Sequence, residues 1–156
     1  RVGVPLVGVG MPGHFLVRDG HDADAFADPF TGRVLTRLEC RAVLAQVQPG
    51  LAFDDEFLRP VGTRAIVARV LANLKGVYLA RRDRRALVDV LSLRVLVPGV
   101  PLDEHRELAS AMAADGQFLD AARVLDDLAA RAGSAGDGQL AQEAEQGAVR
   151  LRARVN

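Results

Sequence analysis

Two periodicities divide this sequence, and the point where one gives way to the other limits what it can fold into. From Thr36 onward, Cys40, Val43, Leu44 and Val47 fall at i, i+3, i+4 and i+7, one face of a helix. Thr36 and Glu39 have the spacing of a capping box, and Pro49-Gly50 ends the run. Before Thr36 the pattern is different. Phe15, Leu16 and Val17 favour a strand, "DGHDAD" (19–24) is a turn cluster, and "AFADPF" returns as a second short strand ended by Pro29. Beyond residue 50, "LAFDDEFLRPVG" reads as a loop or short helical turn. Thr63 is expected to cap a helix over 64–81, and Asp83 to mark a break. Further helices are expected over 84–96, 102–114, 118–131 and 139–154, with "DGQ" (115–117) as a turn and "GSAGDG" (133–138) as a flexible link. The last carries Leu140, Ala144, Ala148, Leu151 and Val155 on one stripe. A β-hairpin followed by about six helices is an α+β chain with the two kinds of structure segregated along it.

Composition excludes more than it identifies. At 156 residues the chain suits one domain, or a small domain with an appendage, and an apolar fraction of 49% can supply a core. No apolar run has bilayer length and no secretory signal is visible, so no membrane partner is expected. Zero formal charge gives no bulk attraction to nucleic acid. The single cysteine, Cys40, rules out an internal disulfide and fits a reducing, cytoplasmic setting. Nothing calls for a cofactor. Lys75 is the only lysine among twenty basic residues, which reads as a G and C coding bias. The opening Arg1-Val2-Gly3-Val4-Pro5 reads as the end of a helix running into a strand, so sequence upstream of Arg1 is expected.

The helical part repeats itself. The tetratricopeptide pattern places a small residue, then a large apolar one four positions on, in the second helix of a 34-residue unit. Ala121 and Leu125 fit it, with His105, Leu108, Ala109 and Met112 at the first-helix positions. Ala86 and Val90 fit it again, with Val70, Asn73, Leu74 and Val77 before them and Pro98 after. The generic alternative is an antiparallel helical bundle. Two repeats are fewer than the roughly three such an array needs to stand alone, so the unit is expected to lean on neighbouring structure.

In the hairpin, His14 and Asp28 form the one pair with catalytic chemistry. A loop over 19–23 pairs Arg18 with Asp24 and sets His14 directly opposite Asp28. Cross-strand Cβ atoms at about 4.5–5.5 Å permit an imidazole–carboxylate contact. A carboxylate so placed orients a base and fixes its tautomer. A loop one residue different puts Phe15 there instead.

"GVGMPGHFLVR", then "ADPFTG", then "RVLANLKGVYL" before the repeat-like helices resembles a family of bacterial transglutaminase-like proteins that carry a tetratricopeptide-repeat tail. The resemblance implies a papain-like core over residues 1–62, of which this would be the C-terminal part, and a helical tail over 63–156. In that superfamily Cys, His and Asp act in chain order, with His and Asp on adjacent strands; His14 and Asp28 match them. The nucleophile does not carry over. It is expected upstream of His14, and in this branch its position is often not cysteine. Cys40 lies after both partners and on the apolar stripe of its helix, where burial makes a thiol inert.

The chain as given is therefore expected to be inactive, a non-catalytic scaffold with a protein-interaction tail. The alternative is a papain-like acyl-transfer enzyme, a peptidase or amidase, with His14 as base, Asp28 as orienter and the nucleophile upstream. Self-association is expected if an upstream helix normally covers the hairpin. His14, His21, Asp22, Asp24 and Asp28 can be drawn as a metal site, but no His-x₃-His or Cys-x₂-Cys spacing supports one, and a solvated hairpin tip is the preferred reading. "RRDRR" (81–85) reads as a solvated turn rather than a nucleic-acid site. "GVGMPG" lacks the lysine and helix of a phosphate loop.

Overall fold

The computed structural model describes residues 5–155. Four strands come first: β1 (Leu6–Val9), β2 (Leu16–Asp19), β3 (Phe26–Asp28) and β4 (Arg33–Leu35). Six α-helices follow: α1 (Arg37–Val47), α2 (Thr63–Arg81), α3 (Arg84–Arg94), α4 (Asp103–Ala114), α5 (Phe118–Ser134) and α6 (Gly138–Arg152). A short 3₁₀ turn, Asp55–Leu58, precedes α2. This is the α+β layout that the change of period implies. The chain divides into two compact units, the first ending at Val67 and the second beginning at Ala68. No helix among the described residues is long and apolar enough to cross a membrane.

The expected hairpin is the middle of a larger sheet, an antiparallel meander in the order β1-β2-β3-β4. The expected helix-to-strand passage over Arg1–Val4 lies outside the described residues. Pro12 and Gly13 turn β1 into β2: the His14 N–H donates to the Met11 carbonyl at 3.1 Å, and Gly13 has φ +71°. A proline followed by a residue at positive φ inside such a bond is the signature of a type II turn, and it requires glycine in the second place. On one face of the sheet, Val9 pairs with Leu16 and Phe26 with Leu35, and all four are buried. Cys40 and Leu44 of α1 join that cluster, with Met11 and Leu58. Each such side chain contributes roughly 1.5–3 kcal/mol when fully withdrawn from water.

The helix α1 starts as its sequence predicts. The Glu39 N–H donates to Thr36 Oγ1 at 3.3 Å while the Thr36 N–H donates to the Glu39 carboxylate at 2.8 Å. At α2 the expectation shifts by one. Thr63 is already helical, and the Ile66 N–H donates to the Gly62 carbonyl, so Gly62 rather than Thr63 occupies the cap.

In the second unit the closely packed helix pairs are α3 with α4, α4 with α5, and α5 with α6. Small residues on α5 permit this: Ala121, Ala122 and Ala132 are fully buried, and Ala109, Ala144 and Ala148 face them from α4 and α6. The expected link over 133–138 is much tighter than a flexible tether. α5 runs through Gly133 to Ser134, and a closing motif follows: Asp137 N–H to Ala132 carbonyl, Gly136 N–H to Gly133 carbonyl, with Gly136 at φ +82°. The same pair of bonds ends α4 at Gly116 and α2 at Arg82. Of the first-repeat positions, Val90 is buried, whereas Val70, Asn73 and Val77 are exposed. Buried Glu104 of α4 ties three helices together: Arg94 of α3 donates to it at 2.8 Å, and Lys75 of α2 lies at 3.4 Å.

Candidate functional site

Local chemistry builds the hairpin tip from its own aspartates. Asp19 Oδ1 accepts from the His21 N–H at 2.7 Å, and Asp22 Oδ1 from the Asp24 N–H at 2.9 Å. Both are side-chain-to-backbone turns that suit aspartate. Arg37 of α1 then grips Asp24 at 2.9 Å and Asp55 at 2.8 Å. His21 is exposed on this loop, apart from His14. Among the described residues no group of three or more His, Cys, Asp or Glu could hold a metal ion.

The register differs from the expected one. The Asp19 N–H donates to the Ala25 carbonyl, so the five-residue loop is 20–24 rather than 19–23. Arg18 therefore pairs with Phe26 and Val17 with Ala27, two residues away from the expected alignment. An even shift leaves every side chain on its original face. His14 and Asp28 consequently still share a face, but the extended ladder sets Phe30 opposite His14. The two rings lie 5.5 Å apart. His14 reaches Asp28 diagonally instead, with Nε2 3.1 Å from Oδ2. The ring N–H direction is off the line to that oxygen, so this is a close polar approach rather than a well-aligned hydrogen bond.

Asp28 is 4% exposed, which a carboxylate tolerates only with partners. It has them. Oδ1 accepts from the Phe30 N–H at 2.8 Å and the Thr31 N–H at 3.4 Å, and Oδ2 accepts from the Thr31 hydroxyl at 2.9 Å. Burial is the largest single influence on its pKa and acts to raise it, because it disfavours the charged carboxylate. The Phe30 N–H, the Thr31 hydroxyl and His14 together outweigh that, so the carboxyl is held below its ordinary value. Sequence reasoning missed Thr31 and Phe30 as members of this site. The signal was available: an aspartate followed three residues on by threonine, across a proline, is turn chemistry.

Cys40 is fully buried among Val9, Leu16 and Phe26. Burial pushes its thiol up to about 11, as expected of a packing cysteine. The "RRDRR" segment is exposed throughout, and Asp83 caps α3 by accepting from the Ala86 N–H at 3.1 Å.

A UPF0162 protein of Xylella fastidiosa, strain Temecula1, is 41% identical over 109 residues, covering 65% of this chain and 38% of its own length. A UPF0162 protein of Pseudomonas aeruginosa is 37% identical over 81 residues, 51% of this chain and 30% of its own. The chain thus spans well under half the length of these relatives. No solved structure matches it. Residues 1–72, which contain the sheet, His14 and Asp28, match the family model of the transglutaminase-like superfamily.

Proposed function

We propose that residues 1–62 are part of a transglutaminase-like core serving as a non-catalytic scaffold, and that residues 63–156 are a tetratricopeptide-like protein-interaction tail. The carrying observation is how the Asp28 carboxylate is used. Three hydrogen bonds from Phe30 and Thr31 commit it to shaping the β3–β4 turn, and the His14 approach is off-line. Cys40, the one thiol, is sealed in the core. The repeat reading has support in the αL closing residues of α2 and α4: Arg82 and Gly116 stand 34 residues apart, one repeat period. Ala121 sits fully buried against α4, as the small position of a repeat should.

A second reading has its own observation. His14 Nε2 at 3.1 Å from Asp28 leaves Nδ1 as the ring nitrogen not engaged by the carboxylate. That suits a base awaiting a nucleophile from outside this sequence, in an acyl-transfer enzyme. Incorporation of monodansylcadaverine into casein by the full-length protein separates the two. The scaffold reading expects no incorporation above background. Incorporation that disappears in both His14→Ala and Asp28→Ala would establish the enzyme instead.

A further inference from the structure

Four arginines crowd the turn from α2 to α3. Arg81, Arg82, Arg84 and Arg85 are all exposed, and none forms an ion pair with a described residue. Elsewhere in the second unit Arg94, Arg106, Arg123, Arg131 and Arg152 each pair with a carboxylate. Arg84 donates to the Ala114 carbonyl at 3.3 Å, a neutral acceptor that leaves its charge uncompensated. Asp83, the one acid in the segment, is turned to the α3 backbone, its Oδ1 accepting from the Ala86 N–H at 3.1 Å.

The fold holds these charges where its own energetics oppose them. Arg82 is the one non-glycine residue at positive φ among the described residues, at +55°, a place that α4 and α5 fill with Gly116 and Gly136. Arg84 and Arg85 open α3, whose first turn holds no acid, and the positive end of the helix dipole disfavours cations there. In sequence the segment reads as a solvated turn, and only the backbone reveals this opposition. Cations kept against both preferences, and answered by no carboxylate of the chain, point to an anionic partner. No large apolar side chain lies between Ala80 and Ala86. Lipid surfaces and docked peptide helices are held by apolar anchors as well as by charge. A nucleic-acid backbone is held by charge alone, through guanidinium–phosphate pairs and the release of its condensed counterions. The segment has no aromatic ring for a base to stack on, which favours a duplex over a single strand.

We infer that the α2–α3 turn binds the phosphate backbone of double-stranded nucleic acid through Arg81, Arg82, Arg84 and Arg85. Such binding is separate from the protein interaction proposed for the tail. The test is fluorescence anisotropy of a labelled mixed-sequence DNA duplex titrated with the full chain, at salt from about 50 to about 150 mM. Four phosphate contacts predict a slope of log K on log salt of about −3.6, a loss of affinity of roughly fiftyfold over that range. Arg81→Gln combined with Arg85→Gln should halve the slope to about −1.8 and weaken binding at the lower salt. Circular dichroism checks that this double variant folds. Arg82→Gly should reduce the slope by about 0.9 while raising the urea midpoint, so that a weaker binder is also a more stable protein. Absence of binding at about 50 mM salt, or a slope and affinity that every variant shares with the wild type, would overturn the inference. Binding of phosphatidylglycerol vesicles or of polyglutamate in place of the duplex would also overturn it, and would make the partner a lipid surface or an acidic protein.

Discussion

At the scale of single residues, two positions hold conformations or charges that their type does not favour. Arg82 closes α2 at φ +55°, where α4 and α5 close with Gly116 and Gly136. The left-handed region costs an L residue about 1–2 kcal/mol, while glycine loosens the unfolded chain by about 0.4–1 kcal/mol. Arg82→Gly is therefore expected to stabilise the second unit by roughly 0.5–1 kcal/mol, read as a higher urea midpoint. A lower midpoint would mean that Arg82 makes a compensating contact. Asp28 is held more acidic than in the unfolded chain. Its contribution to stability is complete above the ordinary carboxylate value of about 3.9 and is lost as pH falls through the lower folded value. Asp28→Asn should flatten the acid side of the stability profile below about pH 4, and an unchanged profile would contradict the assignment.

Among elements, the α4–α5 contact of the second unit holds a buried histidine. His105 of α4 is 3% exposed, with Nε2 3.7 Å from Asp127 Oδ2 of α5. Burial chiefly, and then Arg131, depress its basicity, against the opposing pull of Asp127 and Glu104. The unfolded chain therefore takes up a proton before the folded one does. Stability from this group is present above about pH 6.5 and declines as pH falls through the folded value. Thermal unfolding should show that decline in the wild type and lose it in His105→Gln. Ala121 tests the crossing point more bluntly, since it is fully buried where α5 meets α4. Ala121→Leu should destabilise the unit by about 1–3 kcal/mol through overpacking, seen in urea unfolding; a neutral result would mean the helices are free to part there.

The helices were legible because their signals are local. Thr36 with Glu39 reports its own cap, and the apolar period of residues 118–131 needs no partner to be recognised. Strands β1 and β4 were not: β1 is apolar throughout with Gly8 inside it, and β4 lies between the Gly32 turn and the Thr36 cap, so each gains meaning only from its neighbour in the sheet. The register of β2 on β3 depended on which aspartate closes the loop. That choice is made by Asp19 accepting from the His21 N–H and by Arg37 arriving from α1, a contact no local window contains. His14 and Asp28 were found despite the wrong register because a two-residue shift preserves the face.

Across the whole molecule, the sheet that carries His14 and Asp28 lies in the stretch matched by the transglutaminase-like superfamily, while helices α3 to α6 follow it in sequence. The proposed function separates these roles: it gives the His–Asp pair the holding of a turn and assigns recognition to the helices. Groups placed for catalysis commonly cost a fold stability, and replacing them often increases it. Groups placed for architecture behave in the opposite way. The most direct test is a double-mutant cycle of His14→Ala and Asp28→Ala, with urea unfolding followed through the amide NMR signals of β2 and β3. The account predicts that each substitution destabilises the first unit, Asp28→Ala by about 1–3 kcal/mol through its orphaned Phe30 and Thr31 donors. It also predicts a coupling between the two of about 0.5 kcal/mol or more. Additive effects together with a gain in stability from either substitution would contradict it, and would return the pair to catalysis.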